Sequence, residues 1–229
     1  MERILEISED GSHTLFVPSL NEHYHSTRGA IRESRHVFIE AGLQPCDKQE
    51  IELLEIGFGT GLNALLTLLE AEERGKRVTY TAIERYPLGL DDAKKLNYAE
   101  QLVPTREELF LQLHTSAWGD RVEITPTFHL KKLKVSAHQL SEFHPETLFN
   151  VIYYDAFAPG KQPEMWTIEI FERLYALSDK GAPLTTYCAK GDVRRMLQTV
   201  GYRVERLPGP PGKREMLRAT KVATEGTSH

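Results

Sequence analysis

Residues 51–64 read IELLEIGFGTGLNA. An uninterrupted apolar run with glutamates at 52 and 55 feeds into glycines at 57, 59 and 61. The next residues, LNALLTLLEAEERG, carry apolar positions at helical spacing and stop at Gly75. Strand, glycine turn, helix is a unit that folds stably only when a second parallel strand lies beside the first. That strand follows as VTYTAIE, and PLGLDDAKKLNY begins with Pro87, suited to the first turn of a helix. The chain is thereby committed to an α/β fold with a mostly parallel sheet.

The later sequence continues the alternation. LFNVIYYDAF reads as a buried strand, MWTIEIFERLYAL as a helix, APLTTYC as a strand and KGDVRRMLQTVG as a helix ending on Gly201. Residues 104–118 have a helical pattern, and 121–137 an extended one compatible with a hairpin. YRVERLP and KREMLRATKV flank GPPG and predict an antiparallel hairpin at the sheet edge. Before the sheet, RILEISEDGSHTLFV alternates about Asp10-Gly11, the pair favoured in a tight primed turn, and a helix is expected from Ser26 to Gly42. The expected organisation is an N-terminal hairpin and helix over 1–45, one Rossmann-like domain with a seven-stranded sheet over 46–222, and a frayed tail at 223–229.

Composition narrows the class. The net charge of −5 argues against non-specific coating of nucleic acid, but not against a structured RNA met through local patches. Three basic patches stand out: Lys131, Lys132 and Lys134; Arg194 and Arg195; Lys213 and Arg214. The two cysteines match no metal spacing and read as free thiols of a cytoplasmic protein, and no metal is expected. No segment has the length of apolar sequence needed to span a membrane, and the N-terminus lacks a signal-peptide core.

The glycine turn departs from the dinucleotide fingerprint: its spacing is G-x-G-x-G, and Glu55 precedes the first glycine by two residues. A carboxylate there would repel a pyrophosphate and attract an ammonium. Glu84 ends the next strand, where acids commonly receive ribose hydroxyls. A ligand with an α-amino group at one end, a ribose at the other and no phosphate meets both demands. S-adenosylmethionine is such a ligand.

These residues resemble motif one of the class I S-adenosylmethionine-dependent methyltransferases. RESRHVFIEAGL, EIGFGTGLN, DAFAPGKQPEMW and GKREML, in that order, further resemble the methyltransferase domain of the bacterial enzymes that complete 5-methylaminomethyl-2-thiouridine at the tRNA wobble position. The resemblance implies cofactor contacts from Glu55, Gly57, Phe58, Gly59, Gly61, Asn63, Glu84 and Arg85, with the anticodon stem-loop of tRNA as partner. In the two-domain form a flavin oxidase follows; this chain resembles a stand-alone methyltransferase, for which a separate flavin-dependent oxidase would supply the amine. The family's acid toward the adenine amino group has no counterpart in LKVSAHQLSEF, where Ser136 or Gln139 stands nearest.

YDAFAPGKQPEMW supplies the acceptor side. Asp155 ends a strand expected beside that of Glu55. An aminomethyl group is mostly ammonium at neutral pH and has no lone pair to attack a methyl group. A carboxylate can hold it by a charge-assisted hydrogen bond and take its proton. The family's active-site aspartate also falls on Asp155. Phe157 offers a face to a flipped-out base, Pro159 and Pro163 stiffen the loop, and Trp166 reads as packing. Lys161 meets either phosphate or solvent, and Lys213 and Arg214 are the expected phosphate contacts. Tyr24, Arg28, Arg32 and Arg35 could fold over the cofactor. Two other readings compete: methylation of a small amine metabolite, and a non-catalytic module that binds S-adenosylmethionine or RNA.

Overall fold

The structure is a computed structural model that describes residues 2–222; the predicted tail at 223–229 lies outside the described residues. The N-terminal segment forms β1 (Ile4–Ile7), β2 (His13–Val17) and β3 (Glu22–His23), a small antiparallel sheet. Helix α1 (Ala30–Ser34) then runs into a π-helical stretch, Arg35–Leu43. The first hairpin is not closed by a tight primed turn. Ile7 pairs with His13, so residues 8–12 form the loop, and only Gly11 in it has positive φ, +82°. The Asp10 carboxylate organises that loop instead. Its Oδ1 accepts from Ser8 Oγ at 2.8 Å and from the Ser12 amide at 3.0 Å, and its Oδ2 accepts from the Arg32 amide at 3.0 Å. The turn is therefore tied to α1.

The main chain of elements is β4 (Glu50–Ile56), α2 (Leu62–Glu73), β5 (Arg77–Ile83), α3 (Leu90–Ala93), α4 (Tyr98–Leu102), α5 (Glu108–Thr115), β6 (Arg121–Thr125) and β7 (Phe128–Leu133). A 3₁₀ turn at Ala137–Glu142 precedes β8 (Val151–Tyr154), and another at Pro163–Met165 precedes α6 (Ile168–Leu177). The chain closes with β9 (Pro183–Thr186), α7 (Gly191–Val200), β10 (Tyr202–Pro208) and β11 (Glu215–Lys221). The sheet order is β10-β11-β9-β8-β4-β5-β7-β6. It has eight strands where seven were expected, because 121–133 folds as a complete hairpin and adds β6 antiparallel at the far edge.

The helix expected from Pro87 to Tyr98 is broken into α3 and α4. Between them Asn97 is taken by the N-terminal hairpin: its Oδ1 accepts from the His13 amide at 2.8 Å and its Nδ2 donates to the Gly11 carbonyl at 3.0 Å. A side chain engaged this way with a distant backbone competes with helix continuation.

The strand order reverses at β4. β5 and β7 extend the sheet to one side, while β8 and β9 return to the other. Strand alternation sorts the core into two layers. Leu53, Val151 and Tyr153 face the layer of the π-helical stretch, α2 and α5, with Phe38, Leu65 and Phe110. Leu54, Ile56, Ile152 and Tyr154 face α6 and α7, with Phe171 and Leu197. Lys132, placed by the sequence in a basic patch, is instead fully buried, its Nζ donating to the carbonyls of Leu113 at 2.8 Å and His114 at 2.7 Å. It closes the C-terminal end of α5, a position favourable for a cation. No helix among the described residues is long and apolar enough to cross a membrane.

Candidate active site

A cleft of about 1000 Å³, counting its open mouth, lies over the C-terminal ends of β4, β5 and β8. This is where an open α/β sheet binds ligands. Its floor is the glycine turn. Gly57, Gly59 and Gly61 all have positive φ, at +95°, +50° and +75°. A Cβ on Gly57 would stand 2.4 Å from the Asp155 carbonyl oxygen, and one on Gly61 2.9 Å from His114 Nε2. The turn is thus pressed against the end of β8. Thr60 is held from two sides, by His25 Nε2 at its hydroxyl (2.7 Å) and by His114 Nε2 donating to its carbonyl (3.0 Å). Burial lowers both imidazoles to about 4, so both are neutral at physiological pH. Phe58 is buried beside His114 and lines the cleft.

Glu84 ends β5 with both carboxylate oxygens oriented: Oε2 accepts from the Gly59 amide at 3.1 Å and Oε1 from the Tyr86 amide at 2.7 Å. Each oxygen keeps a lone pair for a donor in the cleft. Arg85 is exposed, lies over the Tyr86 ring and also lines the cleft.

Glu55 does not line the cleft, contrary to expectation. It is fully buried, because strand alternation puts it in register with Tyr153, facing α2. It meets the site through Asn63, whose Nδ2 donates to Glu55 Oε1 at 2.9 Å and to Asp155 Oδ2 at 2.8 Å. Burial first, and then the charge of Asp155, push the Glu55 carboxyl up to about 8, against the Asn63 hydrogen bond. Glu55 Oε2 and the Tyr80 hydroxyl are both left without a hydrogen bond. They are close enough to influence each other's ionisation.

Asp155 is half-buried at the end of β8, which pairs with β4 as expected. Burial and then repulsion from Glu33 raise its carboxyl to about 7, opposed by Asn63 and by Lys213. The group therefore changes charge within the physiological range. Above it Phe157 meets the Tyr24 ring edge-on, centroids 5.1 Å apart, and both rings line the cleft. Trp166 is a packing residue as expected, and its indole N–H also fixes the loop by donating to the Phe157 carbonyl at 2.8 Å. Pro159 and Lys161 follow on the same loop outside the cleft wall. Ser136 lines the opposite wall beside Val135 and Ala137. Gln139 is committed to a capping box with Ser136, its Oε1 accepting from the Ser136 amide at 2.9 Å. Of the two replacements foreseen for the missing acid, Ser136 is the one on the cleft.

The basic residues divide. Lys213, about one-third exposed, bends back onto the fold: it forms an ion pair with Glu33, and its Nζ lies 4.1 Å from the Tyr187 ring centroid. Arg214 is exposed and has no side-chain partner among the described residues. Arg28 and Arg32 pair with Glu9 and Asp10, while Arg35 points to solvent. Glu33 and Tyr187 were not singled out from the sequence. Glu33 carried a signal, since it lies four residues before the buried Val37 and so shares the inward face of the helix. Tyr187 ends β9 as Glu84 ends β5, a position the strand-end rule would have flagged.

The site suits the cofactor inferred from the sequence. The glycine cradle is one that any Cβ would fill, Glu84 offers free lone pairs at the ribose position, and Ile83, Val135 and Ala137 give apolar surface to a planar base. Residues 97–222 match the family model described as S-adenosyl-L-methionine-dependent methyltransferase. The chain is 30% identical to the tRNA 5-methylaminomethyl-2-thiouridine biosynthesis bifunctional protein MnmC of Paraburkholderia xenovorans, over 89% of this chain and 33% of that protein. It is also 30% identical to the protein of the same name from Cupriavidus metallidurans, over 94% and 34%. The chain thus spans about one third of the length of these relatives. Among solved structures, MNMC2 from Aquifex aeolicus superposes with a TM-score of 0.75 at 24% identity, covering 98% of this chain and 73% of that one. Spermidine synthase from Thermotoga maritima follows at 0.54 and 15%, covering 95% and 72%. At those identities the likenesses establish the fold alone, a Rossmann-like α/β methyltransferase fold. With more than half its length matched by the family model, this chain belongs to the S-adenosyl-L-methionine-dependent methyltransferases.

Proposed function

We propose that the chain methylates the amine of the 5-aminomethyl group on wobble (2-thio)uridine in tRNA, giving 5-methylaminomethyl-2-thiouridine. The observation that carries this reading is a cleft-lining carboxyl, Asp155, raised to about 7 and standing between the glycine turn and the Tyr24–Phe157 aromatic pair. The similarity to proteins named for that nucleoside supports it. When bound, S-adenosylmethionine supplies an electrophilic methyl group on a sulfonium. The glycine turn, Glu84 and Ser136 would hold it, and Asn63 links its floor to both Glu55 and Asp155.

Asp155 would bind the incoming ammonium and accept one proton onto its free oxygen, Oδ1, leaving the amine with the lone pair that methylation requires. A carboxyl near pH 7 in its affinity for protons is better matched to that transfer than an ordinary aspartate. Phe157 and Tyr24 would stack on the flipped-out base, and Arg214 and Lys161 would meet the phosphate backbone of the anticodon stem-loop. The aminomethyl substrate requires a prior activity, read as a separate flavin-dependent oxidase.

The test is direct. Purified protein with S-adenosylmethionine and tRNA bearing 5-aminomethyl-2-thiouridine should yield the methylamino nucleoside by mass spectrometry of the digest. Asp155→Asn should lower the rate by about 10²-fold or more. A parallel incubation with putrescine or spermidine should give no methylated product; methylation there and not on tRNA would replace this reading with the small-amine one.

A further inference from the structure

We infer that Lys213, partly exposed, and buried Glu33 form a charge pair that positions Asp155 and sets how readily it ionises, joining the β10–β11 hairpin tip to α1 beside the active site. The inference rests on Asp155 being the reactive carboxyl. The sequence makes Lys213 a phosphate contact on an exposed tip; the structure bends it back onto the fold. Glu33 is buried, with Oε1 accepting from the Ser26 amide at 3.0 Å and Oε2 taking the Lys213 ammonium. That ammonium also rests on the Tyr187 ring, and the Tyr187 hydroxyl donates to the carbonyl of Ala156, the residue after Asp155, at 2.8 Å. A continuous path therefore runs from Glu33 through Lys213 and Tyr187 to the backbone that carries Asp155. The hairpin tip is docked independently, by His36 Nε2 donating to the Pro208 carbonyl at 2.8 Å.

The groups that act on Asp155 come from every side of it. Glu55 on β4 and Tyr80 on β5 lie behind Asn63; Glu33 comes from α1, Tyr187 from the end of β9, and Lys213 from the hairpin. Among them Lys213 is the cation, and its charge opposes the repulsion that Glu33 exerts on Asp155. Removing Lys213 leaves Glu33, which is buried, as the uncompensated member of the pair. The pair also explains why a hairpin at the sheet edge should bear on chemistry at the centre. The hairpin supplies the charge that keeps Asp155 available as an anion near neutral pH.

The two members must act in opposite senses, which makes the inference testable without substrate. The protein, labelled with ¹³Cγ-aspartate, is titrated by NMR in the absence of cofactor and tRNA, and Asp155→Asn identifies the resonance. Lys213→Met should move the Asp155 midpoint upward by about one unit, and Glu33→Gln should move it downward by a similar amount. Lys213→Arg keeps the charge and should return the midpoint to within a few tenths of the wild-type value. In the methylation assay the acidic limb of the kcat profile should follow these shifts. Were the pair only structural, either variant would loosen the hairpin, hydrate Asp155 and lower its midpoint alike. A common direction, no movement, or Lys213→Arg behaving like Lys213→Met overturns the inference. If the midpoints move as expected while tRNA is not methylated, the pair stands and the substrate assignment fails.

Discussion

A carboxyl enclosed between β4 and α2 holds its proton more tightly in the folded chain than in the unfolded one. Glu55 is that group, with an ordinary value of 4.5 raised to about 8 chiefly by burial. The sign follows from linkage: a folded state that binds the proton more strongly loses stability as pH rises from the unfolded value to the folded one. The penalty is absent below about pH 4.5, grows through neutrality and is complete above about 8. Glu55→Gln removes it while keeping an oxygen for the Asn63 amide, and sets a donor beside the unpartnered Tyr80 hydroxyl. The variant should melt roughly 5 °C above the parent at pH 8 and within about a degree of it at pH 4, by calorimetry. A uniform gain at both values would show that packing rather than ionisation is responsible. At this scale the sequence was half legible. That an acid stands two residues before the glycines was plain, but its orientation depends on register with Tyr153, which period-two alternation gives only once the facing layer is known. Lys213 was misread for a similar reason: its partner Glu33 is 180 residues away along the chain.

Elements carry the site by where they end. β4, β5, β8 and β9 finish at the same edge of the sheet on Ile56, Ile83, Tyr154 and Thr186, so the residues just beyond them, Gly57, Glu84, Asp155 and Tyr187, converge. This much was readable, because buried parallel strands are continuous apolar runs and their last residues are conspicuous. What was not readable was where tertiary contacts interrupt a local pattern, as Asn97 does between α3 and α4. The glycine turn gives the sharpest element-scale prediction. Gly57→Ala meets both a positive φ and the Asp155 carbonyl at 2.4 Å, so the turn and the end of β8 must separate. Affinity for S-adenosylhomocysteine should fall at least about tenfold by calorimetric titration, with stability lowered by about 2 kcal/mol or more. Gly75→Ala is the control. Its φ is also positive, at +62°, but a Cβ there meets nothing within 4 Å. It should cost about 1 kcal/mol and leave affinity unchanged. Equal losses of affinity in both variants would mean that the turn matters only through global stability.

The whole molecule carries a net charge of −5, which a polyanion must overcome. Several cations are already committed: Lys132 is buried on α5, Lys213 is paired with Glu33, and Arg28 and Arg32 form surface pairs with Glu9 and Asp10. Lys161, Lys190, Arg35 and Arg214 have no carboxylate partner among the described residues. Lys190 Nζ would lie 3.8 Å from a Cβ on Gly160, which puts it beside Lys161 on the loop that follows Phe157. A stem-loop whose base reaches Asp155 would pass its backbone over this pair. Each phosphate neutralised releases counterions, so the logarithm of the binding constant should fall linearly with that of salt concentration. Lys161→Gln with Lys190→Gln should reduce the magnitude of that slope by about two and weaken tRNA binding uniformly across sequences. Affinity for S-adenosylhomocysteine should not change, since neither side chain lines the cleft. An unaltered slope would mean that the backbone leaves the site by another face. Arg35 and Arg214, both exposed, would then be the pair to replace, and the same slope measurement would decide between the two tracks.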